Sequence, residues 1–249
     1  MKTLLLIGMG AGDPEHITVQ AINALNRVAV FFVLDKGQAT EDLVRLRLEI
    51  CERYIREPDY RVVQVSDPKR NNSTPSYTQG VEDWHEQRAE VFTNLIENQL
   101  GEGECGAFLL WGEPGLYDST LRILDRVRAN GCSGFDYQVI PGISSVQALA
   151  ARHRVPLNDI GQPIRITTGR RLVAEDLDNV VVMLDANCAF QAFIDEDLDI
   201  YWGAYIGTAD EILIAGKLAD VCEQIKKTRE AARQRKGWIM DTYLLRRTH

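Results

Sequence analysis

"LLLIGMGAGDPEHIT", residues 4–18, passes from an apolar run into a glycine cluster and then into Asp-Pro. A short apolar run ending in glycines, with a threonine before helical spacing resumes, is how a buried parallel strand joins a helix. Downstream, Val19, Ile22 and Leu25 keep that spacing, and residues 28–34 form a second continuous apolar run. An amphipathic, charge-rich stretch at 40–54 and a strand-like one at 61–65 follow. This β-α-β-α-β order predicts a parallel α/β sheet.

The glycines invite comparison with a dinucleotide-binding turn. Gly8 and Gly10 fit its G-x-G-x-x-G frame, but the third position is Asp13. A carboxylate there meets the phosphates head-on, and Pro14 removes a backbone donor. Asp35, at the end of the second run, stands where a ribose-binding acid would. That match depends on a loop that fails, so a nicotinamide enzyme is the weaker reading. A plain connecting turn, with glycines for positive φ and Thr18 as cap, leaves the acid at 13 without a purpose.

Composition narrows the rest. With 45% apolar and 26% charged residues over 249, the chain can bury a sizeable core. Its net charge of −8 argues against a surface built for phosphate backbones, while allowing a local basic pocket. No apolar stretch reaches the roughly 20 residues of a membrane span, and the N-terminal run is too short for a signal peptide. The five cysteines are scattered without a CxxC, as are the four histidines, so neither a disulfide framework nor a metal site is expected. A reduced, cytoplasmic protein is the expectation.

Along the chain, "SDPKRNNSTPSY" (66–77) is a long polar connection, followed by an expected helix over 79–100. Then come a strand at 106–111, the turn "GEPGLYDST" (112–120), a helix at 121–129, a strand into "YQVIPGISS", and a helix at 145–152. Strands are expected at 165–168, 180–184, 200–206 and 211–214, a helix from 218 to about 235, and a last strand in "GWIMDTYLL". The shorter runs point to a more mixed sheet in the second half. Two α/β domains are expected, 1–114 and 115–249, hinged near Gly112–Tyr117.

"LLWGEPGLYDST" (109–120) and "VIPGISSVQALAA" (139–151) repeat the logic of the opening stretch: strand, Gly/Pro turn, then a hydroxyl or small residue opening a helix. In a parallel sheet such turns emerge together at the carboxyl ends of the strands, where open α/β folds bind ligands. The GxGxGDPxxxT pattern, a GDPxxY-type mid-chain turn and PGxSS, in that order, resemble the S-adenosylmethionine-dependent tetrapyrrole (corrin and sirohaem) methylases. The likeness extends through "ITTGRR" (166–171) and "YIGTAD" (205–210). Within that family, "LLIGMGAGDPEHITVQAINALN", "FFVLDKG", "ICERYI" and "GWIMDTYLLRR" are similar to a branch of the aerobic cobalamin pathway that releases acetate as it methylates.

The resemblance implies a two-domain homodimer with S-adenosylmethionine in the inter-domain cleft and a precorrin as substrate, with neither nucleic acid nor membrane as partner. It implies cofactor contacts at Ala11, Trp111, Gly112, Glu113, Leu116, Ser144, Ser145 and Gly207, and at Met183 or Leu184, whose register is ambiguous by one. Ala11 stands where the family usually has Pro, and Glu113 replaces the usual Asp, keeping the charge but shifting its reach. Gly10, Asp13, Arg170 and Arg171 are the expected substrate contacts. Read from the residues alone, Ser144 and Ser145 could simply cap the following helix.

Methyl transfer from a sulfonium to an electron-rich carbon needs alignment more than acid–base help. Loss of an acyl group as acetate needs a water, a base and a polarising donor. Asp13 and Tyr117 are the candidates, with His16 as the weaker alternative. A polycarboxylate substrate on an acidic protein needs local cations: Arg165, Arg170 and Arg171 are candidates, with solvated surface charge as the alternative, whereas for Lys69 and Arg70 solvated surface charge is the leading reading. The other readings are a sibling methylase acting on a different precorrin, diphthine or ribosomal RNA, and a non-catalytic corrin-binding protein.

Overall fold

The computed structural model describes residues 1–35, 41–57, 59–70, 77–174 and 177–247. Residues 71–76 of the polar connection, and Lys36 and Gly37 of "FFVLDKG", lie outside them. The chain divides into two units: Met1–Gly10 with Pro14–Ile143, and Ala11–Asp13 with Ser144–His249.

The first unit holds β1 (Lys2–Gly8), β2 (Val30–Asp35), β3 (Arg61–Ser66), β4 (Cys105–Leu110) and β5 (Phe135–Ile140) in the order β3-β2-β4-β1-β5. Every pairing is parallel. β1 is an inner strand of a parallel sheet with helices packed on both sides, so both its faces are buried and it reads as an unbroken apolar run. Leu4 and Leu6 face α3 (Tyr77–Asn98) and α4 (Thr120–Ala129), packing with Phe92, Leu95, Ile123 and Leu124. Leu5 and Ile7 face α1 (Val19–Leu25) and α2 (Glu41–Tyr54), packing with Leu25, Ile50 and Phe31. Thr18 caps α1 as expected, its hydroxyl accepting the Ala21 N–H at 3.1 Å.

In the second unit β6 (Arg165–Thr168), β7 (Asn179–Met183), β8 (Leu198–Ala204), β9 (Ile212–Lys217) and β10 (Asp241–Arg247) run β6-β7-β10-β8-β9. Only β6–β7 is parallel, which is the mixed sheet that the shorter apolar runs foretold. Trp202, Tyr243, Ile200 and Leu245 pack beneath α6 (Leu218–Lys236). On the opposite face α5 (Ser145–His153) meets the sheet through Leu149, which leaves no room for a side chain at Gly203.

The expected boundary between 114 and 115 is corrected. The division falls after Ile143, because β5 pairs along its length with β1, from Lys2↔Phe135 to Ile7↔Ile140. Gly112 is accordingly not a hinge; it is bridged to Gly10 inside the first unit. Among the described residues no helix is long and apolar enough to cross a membrane.

Candidate functional site

β1, β4 and β5 run parallel and in register, so the turns that follow them leave the sheet along one edge. Those turns pack backbone on backbone. Met9 N–H donates to Leu110 O at 2.9 Å, and Gly112 N–H to Gly10 O at 2.8 Å. A Cβ at Gly8 would lie 2.7 Å from Gly142 N, and one at Gly142 only 2.1 Å from Gly112 O. Three glycines from three strands thus form one core of main chain in which no side chain fits. Gly10 (φ +87) and Gly112 (φ +67) also need the left-handed region that glycine enters without strain.

Glu113 completes this cluster. Its carboxylate accepts two backbone N–H groups, from Gly142 at 2.7 Å and Gly115 at 2.8 Å. The side chain expected to contact cofactor is therefore engaged in holding two turns at a fixed separation. The longer reach of Glu over the family's usual Asp serves that span. Leu116 closes the same turn by donating its N–H to Glu113 O at 3.1 Å.

Two buried ring nitrogens on the first two turns have no hydrogen-bond partner among the described residues, Trp111 Nε1 and His16 Nδ1. Buried polar atoms are normally satisfied, so such atoms beside a glycine-lined edge are what a polar ligand or a bound water would complete. Tyr117, half-exposed at 43%, holds φ +52, a conformation that costs a non-glycine residue energy and is concentrated at functional turns.

The second unit has its own pair of close turns. Gly12 (φ +150) lies against the turn after β8: a Cβ there would sit 2.5 Å from Ile206 O and 2.8 Å from the Thr208 methyl. Gly207 (φ +82) donates its N–H to Glu211 Oε2 at 2.8 Å, and the other oxygen of Glu211 takes Arg152 Nε at 2.6 Å. Glu211 holds the Arg152 guanidinium above its ordinary pKa, with a smaller contribution from the Asp13 carboxylate. Ala11, Gly12 and Asp13 thus share this unit with Gly207.

Ser144 acts as the cap that the residues alone allowed, and Ser145 does not. Ser144 is the N-cap of α5, its hydroxyl accepting Val146 N–H at 3.1 Å, and Ser145 shares a 3.0 Å hydrogen bond with Thr242. Leu184 follows β7 in the left-handed region (φ +53) and is 59% exposed, whereas Met183 is partly buried at the strand end. Of this ambiguous pair, Leu184 presents the larger free apolar surface.

A buried polar network fixes that turn. Asp185 accepts Asn187 N–H at 2.9 Å, Ala189 N–H at 2.6 Å and the Tyr243 hydroxyl at 2.7 Å. Arg229 donates to Asp185 O at 2.7 Å and to Asp241 Oδ2 at 2.9 Å, which also takes the Trp202 indole N–H at 3.0 Å. Burial, reinforced by the Asp185 carboxylate, pushes the Tyr243 phenol far up, so it stays a donor. Gly169 admits Asp185 at close range, and Arg170 and Arg171 follow it, both exposed, on a short 3-10 turn. Glu211, Arg152, Asp185, Arg229 and Asp241 were not among the expected site residues. Each makes at least one of its bonds across a long sequence separation, which its neighbours in sequence do not signal.

Comparison with known proteins agrees with this arrangement. A family model described as Tetrapyrrole (Corrin/Porphyrin) Methylases matches residues 3–222. The chain is 52% identical, over 99% of its length and 96% of the relative's, to a Precorrin-6A synthase [deacetylating] of Sinorhizobium sp. It superimposes with a TM-score of 0.86 and 37% identity, over all of both chains, on a cobalamin synthesis related protein (CobF) of Corynebacterium diphtheriae. A uroporphyrin-III C-methyl transferase of Thermus thermophilus solved with S-adenosylhomocysteine shares the fold at TM-score 0.57 and 15% identity, over 98% of this chain and 91% of that one. The glycine-welded turns of the first unit, the Gly12–Gly207 contact of the second and a match over most of the length have one account: this chain belongs to the tetrapyrrole (corrin/porphyrin) methylases.

Proposed function

We propose that the chain is a precorrin-6A synthase: an S-adenosylmethionine-dependent C-methyltransferase that converts precorrin-5 to precorrin-6A, methylating the corrin ring at C-1 and releasing acetate. The 52% identity to a relative of that name over nearly the full length carries the reading. When bound, S-adenosylmethionine supplies an electrophilic methyl group on a sulfonium.

The residues present fit that cofactor. The main-chain edge built by Gly8, Gly112 and Gly142 offers close backbone approach, and Trp111 has a buried indole N–H without an acceptor among the described residues. In this reading the backbone of Ala11, Trp111, Gly112, Leu116, Ser144, Ser145 and Gly207, and the apolar surface of Met183 or Leu184, bind and orient the cofactor. Glu113 contributes by holding the turns. Gly10, Arg170 and Arg171 contact the substrate, the guanidiniums through its carboxylates.

For acetate release, Asp13 takes a proton from the attacking water and Tyr117 donates to the acyl oxygen as charge develops on it. The acyl–ring bond then breaks with its electron pair left on the ring. A homodimer and a cytoplasmic location belong to the same reading.

The test is to incubate purified protein with S-adenosylmethionine and precorrin-5 and follow S-adenosylhomocysteine and acetate together. Equal amounts of both support the reading; S-adenosylhomocysteine without acetate leaves a methylase of another precorrin. Asp13→Asn and Tyr117→Phe are each expected to lower acetate release on the order of 10²-fold, as loss of a general base or an oxyanion donor does. Light scattering on the eluting protein reads the dimer directly.

A further inference from the structure

A second feature lies wholly within the first unit, at the carboxyl ends of β2 and β3. A cavity of about 540 Å³ is bounded by Asp35 and Ser66 at the strand ends, by the segment Asp67–Arg70 and by Trp84 of α3. One buried arginine shapes two of its walls. Arg88 Nε lies 2.8 Å from Asp67 Oδ1, and that pair is 8% and 4% exposed. The same guanidinium stacks 4.6 Å from the centre of the Trp84 ring. The Trp84 indole N–H in turn donates to Pro68 O at 2.7 Å. Segment and indole are thus fixed to each other, and the cavity has one flat apolar wall.

The charges around it are not those of the surrounding surface. Arg88 pairs with Asp67, and among the described residues of the wall the other charged side chains are Lys69, Arg70 and Asp35, on a chain of net charge −8. Asp35 itself takes the Gln64 side-chain amide at 3.1 Å. A guanidinium has five donors, so Arg70 can serve an incoming group beside a protein partner.

We propose that this cavity is a recognition subsite for a carboxylate-bearing side chain of the tetrapyrrole, with Lys69 and Arg70 binding the carboxylate and Trp84 packing against the arm that carries it. The proposal rests on the function put forward above and names residues that the sequence alone reads better as solvated surface charge.

Full-length Lys69→Gln/Arg70→Gln protein tests it, because both residues are exposed. Two measurements are made: steady-state kinetics with precorrin-5, and equilibrium binding of uroporphyrin III, a macrocycle with eight carboxylates. The expected result is a KM for precorrin-5, and a uroporphyrin Kd, each raised roughly tenfold, as two solvent-screened charge pairs allow. S-adenosylmethionine affinity and kcat stay within about twofold, the effect shrinks with added salt, and Lys69→Arg/Arg70→Lys behaves as wild type. A double variant with unchanged KM and uroporphyrin Kd overturns the proposal. So does inorganic phosphate that displaces uroporphyrin at equal concentration, which marks a general anion site. Wild-type protein that makes no S-adenosylhomocysteine from precorrin-5 overturns the proposed function instead, and the uroporphyrin measurement still decides the cavity.

Discussion

The Glu113 carboxylate stands between the backbone N–H groups of Gly142, at 2.7 Å, and Gly115, at 2.8 Å. It is placed to set the spacing between the turn after β4 and the end of β5. A glutamine there can accept only one of these N–H groups and points an NH₂ at the other. An aspartate keeps the charge but falls one methylene short. A hydrogen bond to a charged group contributes about 1.5–3 kcal/mol, so Glu113→Gln and Glu113→Asp should each weaken S-adenosylmethionine binding at least about tenfold. Calorimetric titration checks this, and unchanged affinity in both variants would show that the turns hold their spacing without it.

Gly142→Ala should cost more than an ordinary glycine replacement. Its Cβ would lie 2.1 Å from Gly112 O and 2.9 Å from Gly8, both main chain. Backbone must shift, at about 1–3 kcal/mol as for overpacked cores, and the cofactor edge shifts with it. Gly134→Ala, with nothing within 4 Å, is the control expected to leave the midpoint of thermal unfolding unchanged. Equal midpoints for the two variants would contradict the close packing.

Arg229 is the cation of a buried network, paired with Asp241 at 2.9 Å and bonded to Asp185 O. Arg229→Met leaves Asp241 charged and enclosed, a loss typically of about 3–5 kcal/mol. Asp241→Asn should be milder, since an amide keeps an acceptor for the Trp202 indole. Denaturant unfolding of both variants would show the ranking, and a milder Arg229→Met would refute it.

Acidification should erode stability first through histidines. Burial pushes the His153 pKa down, only partly opposed by its hydrogen bond to Trp202 O at 3.0 Å. His85 is pushed down by burial and by Arg126 and Arg88. Each binds fewer protons folded than unfolded, so its contribution is fully present above the unfolded value of about 6.5 and is lost as pH falls toward the folded one. The melting temperature should be flat from about pH 8 to 7 and decline below about 6.5. His85→Gln/His153→Gln should remove the upper part of that decline. The Glu104 carboxylate, held down to about 2 by Arg61 and the Gly101 N–H, acts only at lower pH.

Local signals carried most of the architecture. Apolar runs located β1, β2 and β4, helical spacing located α1 and α5, and three Gly/Pro turns marked the working edge of the first sheet. What could not be read was long-range. The placement of β5 depends on its pairing with β1 across more than a hundred residues, and a short strand looks the same in either domain. Glu113 showed its charge but not its two N–H partners. Arg229, Asp241 and Asp185 carry no local sign of burial, because a side chain's burial is set by strands far away in sequence. Ser144 read correctly as a cap, since its partner Val146 is two residues on.

The crossing of the chain after Gly10 and back at Pro14 bears on how such a protein can change length over evolution. Ala11–Asp13 belong to one unit while the residues on both sides belong to the other, and Gly12 has no spare space around it. A single inserted residue there disturbs both halves at once. Around Gly103, where the chain turns in open solvent with nothing within 4 Å, an insertion touches neither. Relatives should therefore vary freely in length at the second place and keep the first to the residue, and a fragment beginning at 144 should be an incomplete fold.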